Sequence, residues 1–359
     1  MSDLQRFDGW LQTDTTAALV IREPLVPVEG PDGVFFPATF AASEDKKTFP
    51  GGFNIDPPQG DKNVCLVDSV GSQSNRVEPL FQSGGYAELV PQIVIEAGDR
   101  SVNLLEAGHR AGDAVVRSTG LQKQLQSAFL ELLRGDASPL AKIAPTSLVF
   151  GVWDSRDTQA KLPRIFSSTI RAFDVQRLTR SAQYTPALDY VGLGLLEDTA
   201  EKKTKDAYSE RGFVHVPSSG TPGGVIARGG IRRDGTLSLA ALRQLCGDDD
   251  KATLSLRRYV LGLALVAFTA PTATYLRQGC NLVPDPDNPR TTTTVYSNGT
   301  RESLALAHQE AFAYAKVAAR EFGVGASHTV QFDANLAKSD IDGKSDVKQT
   351  RKRAARQSS

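Results

Sequence analysis

Ser69, Ser72, Gln73 and Arg76 stand together in the stretch CLVDSVGSQSNRVEP at 65–79. At helical period, Leu66, Val67, Val70, Ser74 and Val77 fall within one arc of about 100°, and the four polar residues fall on the arc beside it. One face can pack on a core while the other offers small hydroxyls, an amide and a guanidinium. That is a low-bulk hydrogen-bonding surface suited to a polyanion such as a nucleic-acid backbone. The same pattern also describes a solvated helix face.

A second candidate surface lies at 153–184, WDSRDTQAKLPRIFSSTIRAFDVQRLTRSAQY. Strand alternation puts Arg164, Phe166, Ser168, Ile170 and Ala172 on one face and Ile165, Ser167, Thr169, Arg171 and Phe173 on the other. Neither face is cleanly apolar, and Ser, Thr and Arg mixed on a strand suit phosphate and ribose contacts. The third is GHRAGDAVVRS at 108–118, where Arg110, Arg117 and Ser118 can act as phosphate donors. There, Asp113 and Arg117 are also spaced for an ordinary helix ion pair.

Signatures of common enzyme classes are missing. There is no GxxxxGK[ST] loop, GxSxG elbow or HExxH pair, and GVGASH at 323–328 fails the dinucleotide pattern and follows a helix. His109, His215, His308 and His328 are scattered; only His109 has basic and acidic neighbours that make a general base worth testing. RGFVHV at 211–216 matches the signature of RNA-recognition sheets only for its first three residues. Aromatic residues make up 7% of the chain, which disfavours stacking as the main recognition mode.

The chain has 359 residues, 40% of them hydrophobic, with 41 bases against 41 acids. Its charge is unevenly spread: residues 1–60 carry nine acids and four bases, residues 156–183 six bases and two acids, and the last sixteen residues six bases and one acid. An acidic start and a basic middle can match copies head to tail or focus a basic groove. Cys65, Cys246 and Cys280 have no metal-ligand spacing, and their odd number fits a reducing compartment. With no signal-peptide pattern at the start, and 259–270 too short an apolar run to span a bilayer, the expected location is cytoplasmic, without membrane attachment.

The elements expected to carry these residues are a short helix at 3–11, a strand at 16–28, a long loop at 29–62 and the polar-faced helix up to Pro79. A hairpin at 91–96 and 101–106, helices at 108–117 and 121–134, and strands at 147–153 and 164–175 follow. Residues 178–224 read as a projecting insertion. A hairpin turning at Arg233-Asp234-Gly235 and helices at 239–245, 252–270 and 302–322 complete the domain. The tail from Lys338 reads as polar, basic and disordered. This order fits an α+β domain with a mostly antiparallel sheet.

Together, LVDSVGSQSNRVEP, EAGHRAGDAVVRS, PTSLVFGVWDSRDTQAKLPRIFSSTIRAFDVQRLTRSAQY, GGVIARGGIRRDGTLSL and LRQGCNLV resemble the backbone subunit of the type I-G (formerly I-U) CRISPR surveillance complex, or Cascade, in the RAMP superfamily. The pieces stand in the family's order along the chain, and the first and third are specific. The resemblance implies one hand-like domain over 1–337, with a ferredoxin-like, RRM-related palm and finger and thumb insertions. The insertion at 178–224 is the thumb candidate, the 29–62 loop its alternative, and 338–359 the disordered tail. It further implies a non-catalytic subunit that polymerises along the guide RNA (crRNA), holds its backbone and exposes bases to target DNA. Its partners would be crRNA, target DNA through the guide heteroduplex, further copies of itself and other subunits of the complex, with no cofactor or metal. Carried onto this chain, the RNA contacts would be Ser69, Ser72, Gln73, Asn75 and Arg76, then Arg110, Arg117, Arg156, Lys161, Arg164 and Arg171. The alternative is a RAMP-type endoribonuclease acting on repeat or target RNA through His109, Asp154 or Asp157.

Overall fold

The computed structural model describes residues 3–56 and 62–341. They form a mixed α+β fold around a curled antiparallel sheet. Its central strand is β1 (Thr16–Pro27), which buries Leu19, Ile21, Glu23 and Leu25 on one face and leaves Arg22 exposed on the other. This period-2 pattern is what a sheet covered on one side requires.

The other main strands of the sheet are β2 (Val64–Asp68), β5 (Phe166–Phe173), β8 (Ile231–Ser238), β9 (Cys280–Pro284) and β10 (Thr291–Tyr296), with the short strands Tyr275–Arg277 and Arg301–Ser303 beside β9 and β10. The order runs β9–β1–β8–β5–β2, with β10 beside β1 on the β9 side, and every pairing is antiparallel. Helices α1 (Val70–Val77), α2 (Gln122–Arg134), α3 (Thr146–Phe150), α5 (Asp250–Thr269) and α6 (His308–Phe322) surround the inner face or pack on one another. A separate small sheet joins β3 (Ile93–Ala97) to β4 (Arg100–Asn103) and, in parallel, to β11 (His328–Gln331).

Helix α5 is long and apolar enough, by length and composition, to cross a membrane; sequence reading of its apolar run alone gave a shorter segment. In this fold it is a core helix, with every residue from Arg258 to Phe268 buried. Gly262 allows α6 to approach closely: a Cβ there would sit 2.8 Å from Cα of Ala315.

Several expected elements take other forms. Residues 64–68 are a strand, so Leu66 and Val67 do not belong to the helix; Ser69 ends the strand as a cap and accepts from the Ser72 N–H at 3.2 Å. The expected strand at 147–153 is mostly helix α3, stopped by Gly151 at φ 80°. The 108–117 helix divides into two short turns, because Arg110 adopts φ 51° and Asp113 is extended and caps the second. In α2, Leu125 and Phe129 are buried as expected, but Leu133 faces solvent.

The 178–224 insertion is an ordered arm. Strands β6 (Val175–Tyr184) and β7 (Val216–Ala227) pair along it, and α4 (Lys202–Glu210) lies between them in the chain. Both strands are largely exposed toward the outer part of the arm, so no hydrophobic alternation marks them. Arg233-Asp234-Gly235 lies inside β8, and the expected hairpin does not form: β7 continues through residues 228–230 into β8 in one direction, pairing antiparallel first with β6 and then with β5. Residues 301–303 are a short strand, and the last long helix starts at His308. The 29–62 loop contains a two-residue ladder, Thr39–Phe40 with Gly52–Phe53, and its residues 57–61 lie outside those described. Residues 334–341 are helical, which corrects the expected disorder at 338–341; 342–359 lie outside the described residues.

Candidate nucleic-acid interface

The polar stripe of α1 gathers around one carboxylate. Asp68, fully buried at the end of β2, accepts from Ser72 Oγ at 2.9 Å, Gln73 Nε2 at 2.7 Å and Arg76 Nε at 3.1 Å. Arg277 Nη2 reaches it at 2.5 Å. Gln73 is itself buried and accepts from Ser168 Oγ of β5 at 3.2 Å. The expected open face is therefore a partly internal network. Asn75 is exposed, Ser69 and Ser72 are partly exposed, and Arg76 keeps about a quarter of its side chain in solvent.

Arg110 is turned inward. Its Nε donates to Glu78 Oε2 at 2.7 Å, its Nη1 to the Gly151 carbonyl at 3.3 Å, and its guanidinium lies 5.4 Å from the Phe150 ring centre. Burial pushes the Glu78 carboxyl up to about 7, against the pull of Arg110, and burial also lowers the Arg110 pKa. Arg117 is buried as well, donating to Asp157 Oδ2 at 2.9 Å and lying 3.7 Å from Asp154 Oδ2. In this conformation neither guanidinium is a surface phosphate donor, contrary to the open position expected of them. The left-handed backbone of Arg110 and the Asp113 cap aim the two side chains at the core.

Arg156, Lys161 and Arg164 are exposed, and Lys161 Nζ lies 5.5 Å from the ring centre of the exposed Trp153. The hairpin Val152–Trp153 with Lys161–Leu162 presents this group, close to the Arg110 cluster: Arg164 contributes to the lowered Arg110 pKa. Arg171 instead lies on the outer face of the sheet, opposite Arg232 of β8 in register, and donates to Thr169 Oγ1 at 2.8 Å. The expected contacts thus fall into an Asp68-centred network, two inward-turned arginines (Arg110 and Arg117), an exposed basic edge at 156–164 and the outer sheet face.

That outer face holds residues the sequence reading missed. Arg22 and Arg232 flank Asp234: Arg232 Nε donates to it at 2.8 Å, and Arg22 Nε lies 3.9 Å away. Arg232 also covers the Phe173 ring at 4.9 Å. A cleft of about 520 Å³ opens there, lined by Pro24, Phe173, Arg228, Arg232, Asp285 and Asn288 among others. Reading IRRDGTLS as an alternating strand instead of a turn would have revealed Arg232 and Asp234 as its outward residues.

The groups weighed for catalysis are dispersed. Asp154 is buried and accepts from Thr158 Oγ1 at 2.7 Å, while Asp157 also accepts from Gln126 at 2.7 Å. His109 is exposed, its backbone N–H donating to Asp113 Oδ2 at 3.2 Å. His308 engages both ring nitrogens, with Tyr86 at 2.8 Å and Thr269 at 2.7 Å. Among the described residues, no group of three or more His, Cys, Asp or Glu is placed to hold a metal ion.

Residues 19–177 match the model of a family described as CRISPR-associated protein GSU0053. The match marks similarity to a CRISPR-associated family and runs from β1 to the first residues of β6, through the Asp68 network and the basic edge. No curated protein matches the chain.

Proposed function

We propose that this chain is a non-catalytic, guide-RNA-holding backbone subunit of a CRISPR surveillance complex of the type I-G kind, acting in the cytoplasm with target DNA and other subunits of the complex. The observation that carries the reading is the CRISPR-associated match over 19–177, which includes the 65–79 and 108–118 segments and most of 153–184, the three that sequence chemistry singled out for polyanion contact. In this role copies polymerise along crRNA, protein electrostatics hold the sugar–phosphate backbone, and base pairing supplies specificity.

The sheet supports a ferredoxin-like palm. Counting β1, β5, β8 and the β9–β10 region as strands one to four, the spatial order is 4-1-3-2 with all neighbours antiparallel. The arm of β6, α4 and β7 is the proposed thumb; it leaves the palm between the second and third strands. Its exposed Leu188, Leu193 and Leu195 suit contact with a neighbouring copy. The exposed group Arg156, Lys161 and Arg164, with Asn75 and Arg76, forms the primary RNA-facing set. Arg171 and Arg232 offer a second.

Co-expression with guide RNA and partner subunits tests the reading. Purified protein should carry short RNA and run as a multi-copy assembly that ribonuclease treatment shortens. Recovery free of RNA from cells that make the guide would overturn it. Cleavage of labelled repeat or target RNA, abolished in His109→Ala or Asp157→Asn, would replace it with the endoribonuclease.

A further inference from the structure

Arg233 occupies the inner face of β8 and is 1% exposed. Its Nε donates to Glu23 Oε2 at 2.6 Å, but its Nη2 has no hydrogen-bond acceptor among the described residues. Buried guanidinium nitrogens are ordinarily satisfied, so this one calls for an acceptor. It lines a cavity of about 220 Å³ whose wall also includes Gln73, Arg76, Val77, Leu80 and Thr272.

The surrounding charge is unbalanced. Asp68 faces both Arg76 and Arg277. Glu23 faces Arg233 and, at longer range, Arg290, whose pKa is lowered by burial and by Arg233. Four guanidinium groups thus share two carboxylates, in a place where apolar walls strengthen electrostatic interactions. Thr272 Oγ1 donates to Glu23, and Gln73 is occupied by Asp68 and Ser168, so neither adds negative charge to the cavity. Arg76 makes its bonds through Nε and Nη2, which leaves Nη1 for another acceptor.

We propose that this cavity binds a tetrahedral oxyanion, held between Arg233 Nη2 and Arg76. The assigned ligand is a phosphodiester of the bound RNA, an assignment of source that rests on the function proposed above. A phosphate offers several acceptor oxygens to two converging guanidinium groups, the geometry for which arginine is best suited.

The test uses full-length protein, the double variant Glu23→Gln/Arg233→Met, which removes the buried pair together, and Arg76→Gln as a second probe. Arg134→Gln, on the exposed side of α2, is the control. In RNA-free protein, inorganic phosphate should raise the melting temperature above that in chloride of equal ionic strength. The response should be abolished in the double variant, reduced in Arg76→Gln and retained in the control. No difference between phosphate and chloride in the wild type overturns the site.

With guide RNA, the double variant should bind about tenfold more weakly, with a salt dependence shallower by about one unit. An abolished phosphate response with unchanged RNA binding overturns the phosphodiester assignment and leaves a site for free phosphate. A wild-type phosphate response, in protein that is recovered free of RNA even from cells that make the guide, upholds the site and overturns the RNA-holding function. Should the double variant fail to fold, an unaltered phosphate response in Arg76→Gln is the overturning result.

Discussion

Arg76 and Asp68 form a partly buried ion pair, Nε to Oδ2 at 3.1 Å, and Arg277 binds the other oxygen of the same carboxylate at 2.5 Å. Asp68 thereby fixes the junction of β2 and α1 and sets where Arg76 can present its remaining donors.

Asp68→Ala should destabilise the protein by about 3–5 kcal/mol, because it leaves the two arginines and Gln73 without their common acceptor. Urea denaturation measures this directly. A loss below about 1 kcal/mol would mean that solvent replaces the carboxylate and that the junction is not organised by it.

Charge reversal of Arg156, Lys161 and Arg164 together should weaken guide-RNA binding whatever the guide sequence, while leaving the melting temperature almost unchanged. All three are exposed. The slope of log affinity against log salt should fall by about one unit for each phosphate that the variant no longer neutralises. Altered sequence preference with an unchanged slope would count against a backbone-holding role for this edge.

The Glu78 carboxyl, raised by burial from 4.5 to about 7, favours the protonated form in the folded state. Its contribution to stability is therefore fully present below about pH 4.5 and is lost as pH rises through about 7. Glu78→Gln should flatten that part of the stability profile, by at most about 3 kcal/mol. Equal pH dependence in wild type and variant over this window would show that Arg110 keeps Glu78 ionised throughout.

Cys65 and Cys280 are buried, with thiols pushed up to about 12 and about 11, mainly by burial, whereas Cys246 is exposed. One equivalent of a thiol reagent should react at neutral pH, at Cys246, with the other two sites opening only in denaturant. Mass spectrometry of the labelled peptides reads this out, and early labelling of Cys65 would show that the sheet opens locally.

Gly262→Val should cost about 1–3 kcal/mol by forcing α5 and α6 apart. Thermal or urea unfolding would measure it. A neutral result would require the helices to shift without loss of packing.

Elements that meet the core were legible in the sequence, β1 and β3 through one apolar side and α5 through a continuous apolar run. The arm was not, because Arg177, Arg180 and their neighbours meet solvent and hydrophobic periodicity has nothing to report. The Ser69–Arg76 stripe was identified correctly as polar, but helical period alone did not disclose its inward partner. That partner, Asp68, lies on the preceding strand, and Arg277 comes from two hundred residues away in the chain. Arg233 was concealed for a related reason: a charged residue in a strand interior reads as a turn until its partner, Glu23, is known.

The central position of β1 has a consequence for synthesis of the protein. Its pairing partners lie at 231–238, 280–284 and 291–296, so the sheet cannot close until most of the chain has left the ribosome. At about 5–20 residues per second, Leu19, Ile21 and Leu25 wait roughly 10–60 s for cover. During that interval β1 is an unpaired apolar strand open to chaperones and to other nascent chains.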